Sequence, residues 1–404
     1  MKDSDYSVIY GCVYKIKRLK KLSFVYLRRK SQIIETVYRP ESCIKDISLL
    51  SEGMYLSAKI FKLPQKRSNN GTDLMLADFE ILSYAHEAPP IPINSADFSP
   101  ADDEYSENIA AAVRHPKTAE IIRLKSVIQK AFSDTMHSLS FINVNTPSLV
   151  PYSEKASFEV DYFGEQMYLP YSPQIYLTPY TASLDRVFEI SHSFLAKKFN
   201  SPRHLNEFVT MSFQIGYIES LDDIMDITAL IIGSIRTALF QTCCEYFKFP
   251  DTNSVPIPRI RFCEALKILQ KPTQCDLDPT DIKKLCRIAK KEYGSDYVFV
   301  TDFIPGKRQF YIAQNPDGSL KCFDLLGGGM KLGTGSVNIS DYENLLSVMP
   351  ESKSLKAYSD ALKYGIMPYG GVCLGLERCT AQMLGLPSVK RAGQIVRDIH
   401  NCLP

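Results

Sequence analysis

Two stretches of the chain combine residue types that can do chemistry. The run Gly327-Gly328-Gly329-Met330-Lys331-Leu332-Gly333-Thr334-Gly335-Ser336 sets a lysine and hydroxyls among glycines, which let a backbone approach a phosphate. It lacks the GxxxxGK[ST] order and no helical pattern follows it, so a tight antiparallel strand pair approaching a ligand is expected instead. The second stretch gathers Lys15, Lys17, Arg18, Lys20, Lys21, Arg28, Arg29 and Lys30 around Tyr14, Phe24 and Tyr26. Cations answer phosphates and flat rings answer splayed bases, so the stretch suits single-stranded nucleic acid. It suits equally a solvated edge hairpin whose lysines discourage aggregation. His192 and His204 have no carboxylate at metal-ligand spacing, so neither a zinc site nor a catalytic triad is expected of them.

The elements that must position these residues follow from pattern. Short β-branched and aromatic runs fill the first eighty residues: Val8 to Tyr14, Phe24 to Leu27, Ile33 to Val37 and Met54 to Ile60. Asn69-Asn70-Gly71 then supplies a hairpin turn. Such spacing predicts a small closed barrel of the OB type. The Pro-, Ser- and acid-rich segment from residue 86 to 105 reads as a hinge that cannot build a core. Beyond it, helical spacing covers Ala119 to His137, Leu221 to Phe247 and Pro279 to Glu292, with strands between, which predicts a larger α+β domain.

Composition bounds the rest. With 404 residues, 45% of them hydrophobic, the chain can bury two or three cores. Lys plus Arg number 47 against 45 Asp plus Glu, so a general polyanion binder is excluded and any nucleic-acid affinity must be local. The 11 cysteines form no CxxC pair, which disfavours a disulfide framework or a structural zinc. The most apolar stretch, Ile224 to Phe240, is broken by Asp226 and Arg236. A soluble cytoplasmic protein without membrane or DNA partners is expected.

Three segments carry a family resemblance. Phe188-Glu189-Ile190 through Arg203-His204-Leu205-Asn206-Glu207-Phe208 resembles motif 2 of the class II aminoacyl-tRNA synthetases. Gly370-Gly371-Val372-Cys373-Leu374-Gly375-Leu376-Glu377-Arg378 resembles motif 3, and Phe141-Ile142-Asn143-Val144-Asn145-Thr146-Pro147 is similar to the end of motif 1. Ser172-Pro173-Gln174 and Phe299-Val300-Thr301-Asp302 point to the aspartyl/asparaginyl branch. The resemblance implies an OB barrel over residues 1–86 that contacts an anticodon, a hinge over 87–115, and a catalytic domain over 116–404 with a central antiparallel sheet flanked by helices. It also implies a homodimer, ATP as cofactor and tRNA as partner.

Against that pattern, several charged positions differ. The motif 2 arginine matches Leu195, and the acid two places on matches Lys197. Lys331 stands where a magnesium-binding glutamate belongs, and Asn338 where an arginine would hold the substrate carboxylate. The aspartate-pairing lysine matches Leu177, the acidic pair near the substrate amino group matches Ser212 and Gln214, and Gln174 is kept, with Tyr171 and Ser172 beside it. One carboxylate beside a lysine makes Mg²⁺ a doubtful cofactor. Losing three or four charged hydrogen bonds, each worth roughly 1.5–3 kcal/mol, would weaken aspartate binding by orders of magnitude. Arg203, His204, Glu207, Phe208, Asp324, Gly375 and Arg378 persist on the adenine and phosphate side, as ATP contacts or as framework. In the barrel, Phe24 matches a base-stacking aromatic, Arg28 follows in pattern, and Glu35 replaces a base-reading glutamine. Three functions are expected to compete: a repurposed paralogue that does not attach aspartate, an active ligase for a different acid, and an ordinary but divergent aspartyl- or asparaginyl-tRNA synthetase.

Overall fold

The computed structural model describes residues 6–30, 32–62, 74–95, 98–153, 155–249, 256–272, 275–306, 308–393 and 395–400. They divide into two compact units, Met1–Glu120 and Ile121–Pro404. In the first unit, β1 (Ser7–Arg18), β2 (Ser23–Arg29), β3 (Gln32–Tyr38), β4 (Tyr55–Lys62) and β5 (Leu74–Ser83) close into a barrel in the order β1-β2-β3-β5-β4. Alternate residues of β2, namely Ser23, Val25 and Leu27, point inward, the period of two expected of a strand with one wet face. Val13, Leu56, Ile60, Leu76 and Phe79 complete the core. The proposed turn at Asn69-Asn70-Gly71 lies outside the described residues.

The segment read as a coreless hinge is corrected. Ile91, Phe98, Tyr105 and Ala112 recur at every seventh position and bury together with Ile109 in a small cluster of their own. His115 stacks on Phe98 with ring centroids 4.2 Å apart, and its Nε2 lies 3.0 Å from the Ser95 carbonyl oxygen. A polar average concealed this sparse apolar repeat.

The second unit holds β6 (Ile142–Asn143), a separate hairpin of β7 (Glu159–Tyr162) and β8 (Glu165–Tyr168), then β9 (Arg186–Phe194), β10 (Glu207–Gly216) and β11 (Arg259–Arg261). It continues with β12 (Tyr297–Phe303), β13 (Leu320–Gly327), β14 (Met330–Val337) and β15 (Tyr369–Gly375). Eight of these make one sheet in the order β11-β12-β13-β14-β15-β10-β9-β6. Its interior pairs are antiparallel, as expected, but the outer pairs β11/β12 and β6/β9 are parallel. The glycine-rich run is the β13/β14 hairpin, as its pattern predicted, with Gly328 and Gly329 both at positive φ in the turn.

Helices cover the sheet. Pro116–Ser138 and Leu221–Phe240 pack on one core cluster with Phe188, Phe213, Phe323 and Leu374. Phe262–Leu269 and Pro279–Tyr293 pack on a second with Val298, Val300, Cys322 and Leu326. The helix expected to run to Phe247 stops at Phe240. Its apolar spacing continues because Cys244, Phe247 and Phe249 pack on the same core without being helical. No helix among the described residues is long and apolar enough to cross a membrane.

Candidate functional site

On β13 the side chains alternate between the two cores. Phe323 and Leu325 enter the first cluster and Cys322 and Leu326 the second, so Asp324 shares the face of Cys322 and Leu326. Its partner across the hairpin is Thr334, whose hydroxyl donates to Asp324 Oδ1 at 2.7 Å. Gly335, next to Thr334, is a glycine because a Cβ there would sit 2.4 Å from the Phe323 ring. The hairpin thus presses Phe323 into the core on one side and holds a carboxylate and a hydroxyl on the other.

That second side borders a cleft of about 390 Å³. Along its wall, β10 supplies Phe208, β14 supplies Lys331, and the turn from β15 into the helix Leu376–Met383 supplies Gly375 and Arg378. The connection between β9 and β10 brings Leu195, Arg203 and His204, and the segment before the helix Gln174–Leu184 brings Tyr171 and Ser172, with Gln174 its first residue. Eleven residues singled out from the sequence therefore meet around one cavity: Tyr171, Ser172, Gln174, Leu195, Arg203, His204, Phe208, Asp324, Lys331, Gly375 and Arg378.

Six others do not line it. Leu177 is fully buried with Val144 and Val187. Ser212 is buried and donates to Cys373 Sγ, while buried Gln214 is held by Gln174, Thr178 and Thr181. Asn338 accepts from Ser336 and borders a different cavity. Glu207 meets His192 at 3.0 Å, and Lys197 lies over the Phe199 ring. The expected acid pocket is therefore packed with its own hydrogen bonds at Gln214.

The cleft's main electrostatic feature is a residue that sequence reading missed. Arg308 grips Asp324 through both nitrogens, Nη1 to Oδ1 at 2.9 Å and Nη2 to Oδ2 at 3.0 Å, in the fork geometry that makes such pairs strong. Lys331 Nζ lies 3.4 Å from the same Oδ2. Burial alone would raise the Asp324 pKa, but Lys331 and Arg308 together hold it well below the usual carboxylate range. Arg308 stands in the connection from β12 to β13, directly after Pro305-Gly306-Lys307, where no periodicity marks a residue as inward-facing. A charged residue after a turn pair is the only signal, and it is shared by many solvated loops.

Further in, Arg378 donates from Nη1 to the Lys331 carbonyl oxygen at 3.1 Å and from Nη2 to that of Arg203 at 3.2 Å. Its neighbour Glu377 forms a buried pair with Lys125 at 2.7 Å and accepts from the Val209 amide at 3.0 Å. A C-terminal segment backs the β9/β10 connection. Val389 N donates to the Pro202 carbonyl oxygen and Asn206 N to that of Arg397, while buried Lys390 reaches both Asn200 Oδ1 and Asp398 Oδ2. Leu205 sits among Ala381, Val389, Ala392 and Val396.

His204 stacks on Phe199 and pairs through Nδ1 with the Ser201 hydroxyl at 2.7 Å. Burial first, then the charges of Arg378, Arg203 and Lys197, push its pKa down to about 4, so the ring is neutral at pH 7. A base whose folded pKa lies below its ordinary 6.5 contributes fully above that value, and the unfolded state gains as pH falls toward 4. The His204→Gln variant should therefore lose less stability between pH 6.5 and 4 than the parent chain, as urea midpoints across that range will show. Equal losses would remove His204 from the account.

The oxygens of Asp324 that a divalent cation would need are engaged. Asp324 Oδ1 already accepts from Arg308 and Thr334, and Oδ2 from Arg308 beside Lys331. Mg²⁺ asks for oxygen ligands with free lone pairs, and two cations repel it. Among the described residues, no group of three His, Cys, Asp or Glu side chains converges as a metal site.

In the barrel, Phe24, Tyr26 and Arg28 lie half-exposed on one face of β2. Lys15 pairs with Tyr26 and Lys17 with Phe24 across β1, and Glu35 faces Tyr26 across β3. Burial and a hydrogen bond to Glu35 raise the Tyr26 pKa. Of the expected mixture, Lys15, Lys17, Phe24, Tyr26 and Arg28 thus share one face, with Glu35 an acid beside Tyr26.

Comparison with known proteins places the architecture. Residues 102–394 match the family described as tRNA synthetases class II (D, K and N). An aspartate–tRNA(Asp/Asn) ligase of Deinococcus radiodurans is 30% identical, over 84% of this chain and 83% of its own length. One from Thermus thermophilus is 27% identical over 98% of this chain and 96% of its own. The crystal structure of asparaginyl-tRNA synthetase from Pyrococcus horikoshii complexed with asparaginyl-adenylate superimposes with a TM-score of 0.88 at 22% identity, covering 99% of this chain and 96% of that one. The fold is an OB barrel followed by a class II synthetase catalytic domain.

Proposed function

This chain belongs to the class II tRNA synthetases of the D, K and N group, and on that premise we propose that it is an ATP-binding aspartyl/asparaginyl-type paralogue that does not charge tRNA with aspartate. The observation that carries the reading is the neutrality of the positions expected to hold a substrate acid. Leu195 faces the cavity with no charge, Leu177 is buried in an apolar cluster, and Gln214 spends its amide on Gln174, Thr178 and Thr181. An aspartate side chain placed against these three residues would give up its hydration and gain no charge from any of them, and leaving such a group unmatched weakens binding steeply. What is kept is the nucleotide side, with Phe208, Arg203 and Arg378 along one wall.

Within the same proposal, residues 1–86 act as the RNA-contacting barrel through Phe24, Arg28 and Glu35, residues 87–115 connect, and residues 116–404 form a catalytic-type domain that pairs as a homodimer. The scaffold then serves as a tRNA- or nucleotide-binding pseudoenzyme or in a specialised biosynthetic route. Mg²⁺ has no part in this reading.

A second reading is favoured by one residue. Lys331 reaches the cleft with a partly exposed side chain, so an active ligase could neutralise phosphate with it while activating another amino acid or carboxylic acid. ATP–pyrophosphate exchange with purified chain, run against the common amino acids and related carboxylic acids, separates the two. Exchange with aspartate defeats the proposal. Exchange with another acid, abolished by Lys331→Ala, establishes the ligase. Silence across the panel leaves the non-catalytic scaffold.

A further inference from the structure

We infer that Lys331 takes the place of the divalent ion, so that the cleft binds the phosphate chain of ATP in its metal-free form and disfavours the magnesium complex. The inference rests on the reading that this cleft takes ATP, and goes beyond it by assigning the ionic form of the ligand.

Three observations carry it. First, Lys331 sets an ammonium 3.4 Å from Asp324 Oδ2, so a fixed positive charge already stands beside the carboxylate where a cation would have to bind. Secondly, the Asp324 carboxylate is engaged on every side: it accepts from Arg308 and Thr334 with Lys331 beside it, and Arg308 gives it a bidentate partner that a metal would have to displace. Thirdly, cations outnumber acids along the lining. Lys155, Arg203, Arg308, Lys331 and Arg378 face the cavity against only Asp276, Asp324 and Glu377, and Glu377 is already matched by Lys125.

The placement of Lys331 suits the task. Its Nζ lies 3.4 Å from Asp324 Oδ2, yet 40% of the side chain remains exposed to the cleft. Its backbone carbonyl is fixed by Arg378, which also holds the Arg203 backbone, so three cationic residues are tied into one wall. A lysine offers phosphate a compact charge with three donors, which needs no bidentate geometry. A metal-free triphosphate presents that wall with its full negative charge. The magnesium complex presents less, and adds a dication that Lys331 and Arg308 repel.

The test is equilibrium binding of ATP to the full chain at fixed ionic strength, once with EDTA and once with excess Mg²⁺, read by calorimetry. Fixing the ionic strength matters because exposed charges are screened by salt. The expected result is tighter binding in EDTA, by about tenfold. Lys331→Gln should lose that preference, and Lys331→Glu should reverse it, making Mg²⁺ a requirement. Both substitutions change a side chain that is partly exposed, and a thermal melt checks folding. Tighter binding with Mg²⁺ in the unmodified chain overturns the inference and leaves the ATP reading standing. An unchanged preference in Lys331→Gln overturns the assignment to that residue. Absence of binding in both buffers overturns the inference and the ATP reading together.

Discussion

Arg308→Ala will lower the unfolding free energy by about 3 kcal/mol, the low end of what removing one partner of a buried ion pair costs. The Arg308 side chain is 17% exposed and that of Asp324 7%. Without the guanidinium, Asp324 keeps the Thr334 hydroxyl and a more distant ammonium, which offset only part of its desolvation. The urea midpoint should fall with the slope of the transition unchanged. Adding Asp324→Asn to Arg308→Ala should recover much of the loss, because the uncompensated charge is then gone. A single variant within 1 kcal/mol of the parent sinks this account of the cleft. The same pair sets an acid limb. Asp324 titrates lower in the folded chain than its ordinary 3.8, so its contribution is complete above that value and is lost as the pH falls below it.

The second large effect is expected at Gly371. A Cβ there would lie 2.1 Å from the Phe213 carbonyl oxygen of the neighbouring strand and 3.1 Å from Gln174 Oε1. Gly371 pairs with Gln214 on β10 and with Ser336 on β14, so neither strand can yield without parting from the other. Gly371→Ala should cost about 3 kcal/mol or more, at the upper end of overpacking, with a strained β10/β15 ladder. Hydrogen exchange of the Phe213 and Gln214 amides is the local readout, and a variant with native midpoint and native exchange would refute the close packing described.

How far the sequence reached depended on whether a residue's surroundings were local. The barrel strands and the β13/β14 hairpin were legible because alternation and glycine turns act over a few residues. Arg203, His204, Phe208 and Arg378, which line one cavity, could be picked out because each sits in a stretch resembling a known motif. Arg308 was not, since its partner lies across a loop and nothing in the local sequence marks position 308. Leu177, Ser212, Gln214 and Asn338 sit at positions where the resemblance placed substrate contacts, but the structure turns them into packing and internal hydrogen bonds. The cluster of Ile91, Phe98, Tyr105 and Ala112 was hidden for the opposite reason, because four apolar residues are diluted among prolines and acids.

The clasp of Lys390 on Asn200 spans 190 residues of sequence. A ribosome adding roughly 5–20 residues per second would need roughly 10–40 s to deliver the second half after the first has emerged. For that interval the segment bearing Arg203 and His204 would lack the backing of Val389, Ala392 and Val396, with Leu205 uncovered. The cleft is therefore among the late events of synthesis, and a nascent chain could hold a finished barrel well before it could hold a nucleotide.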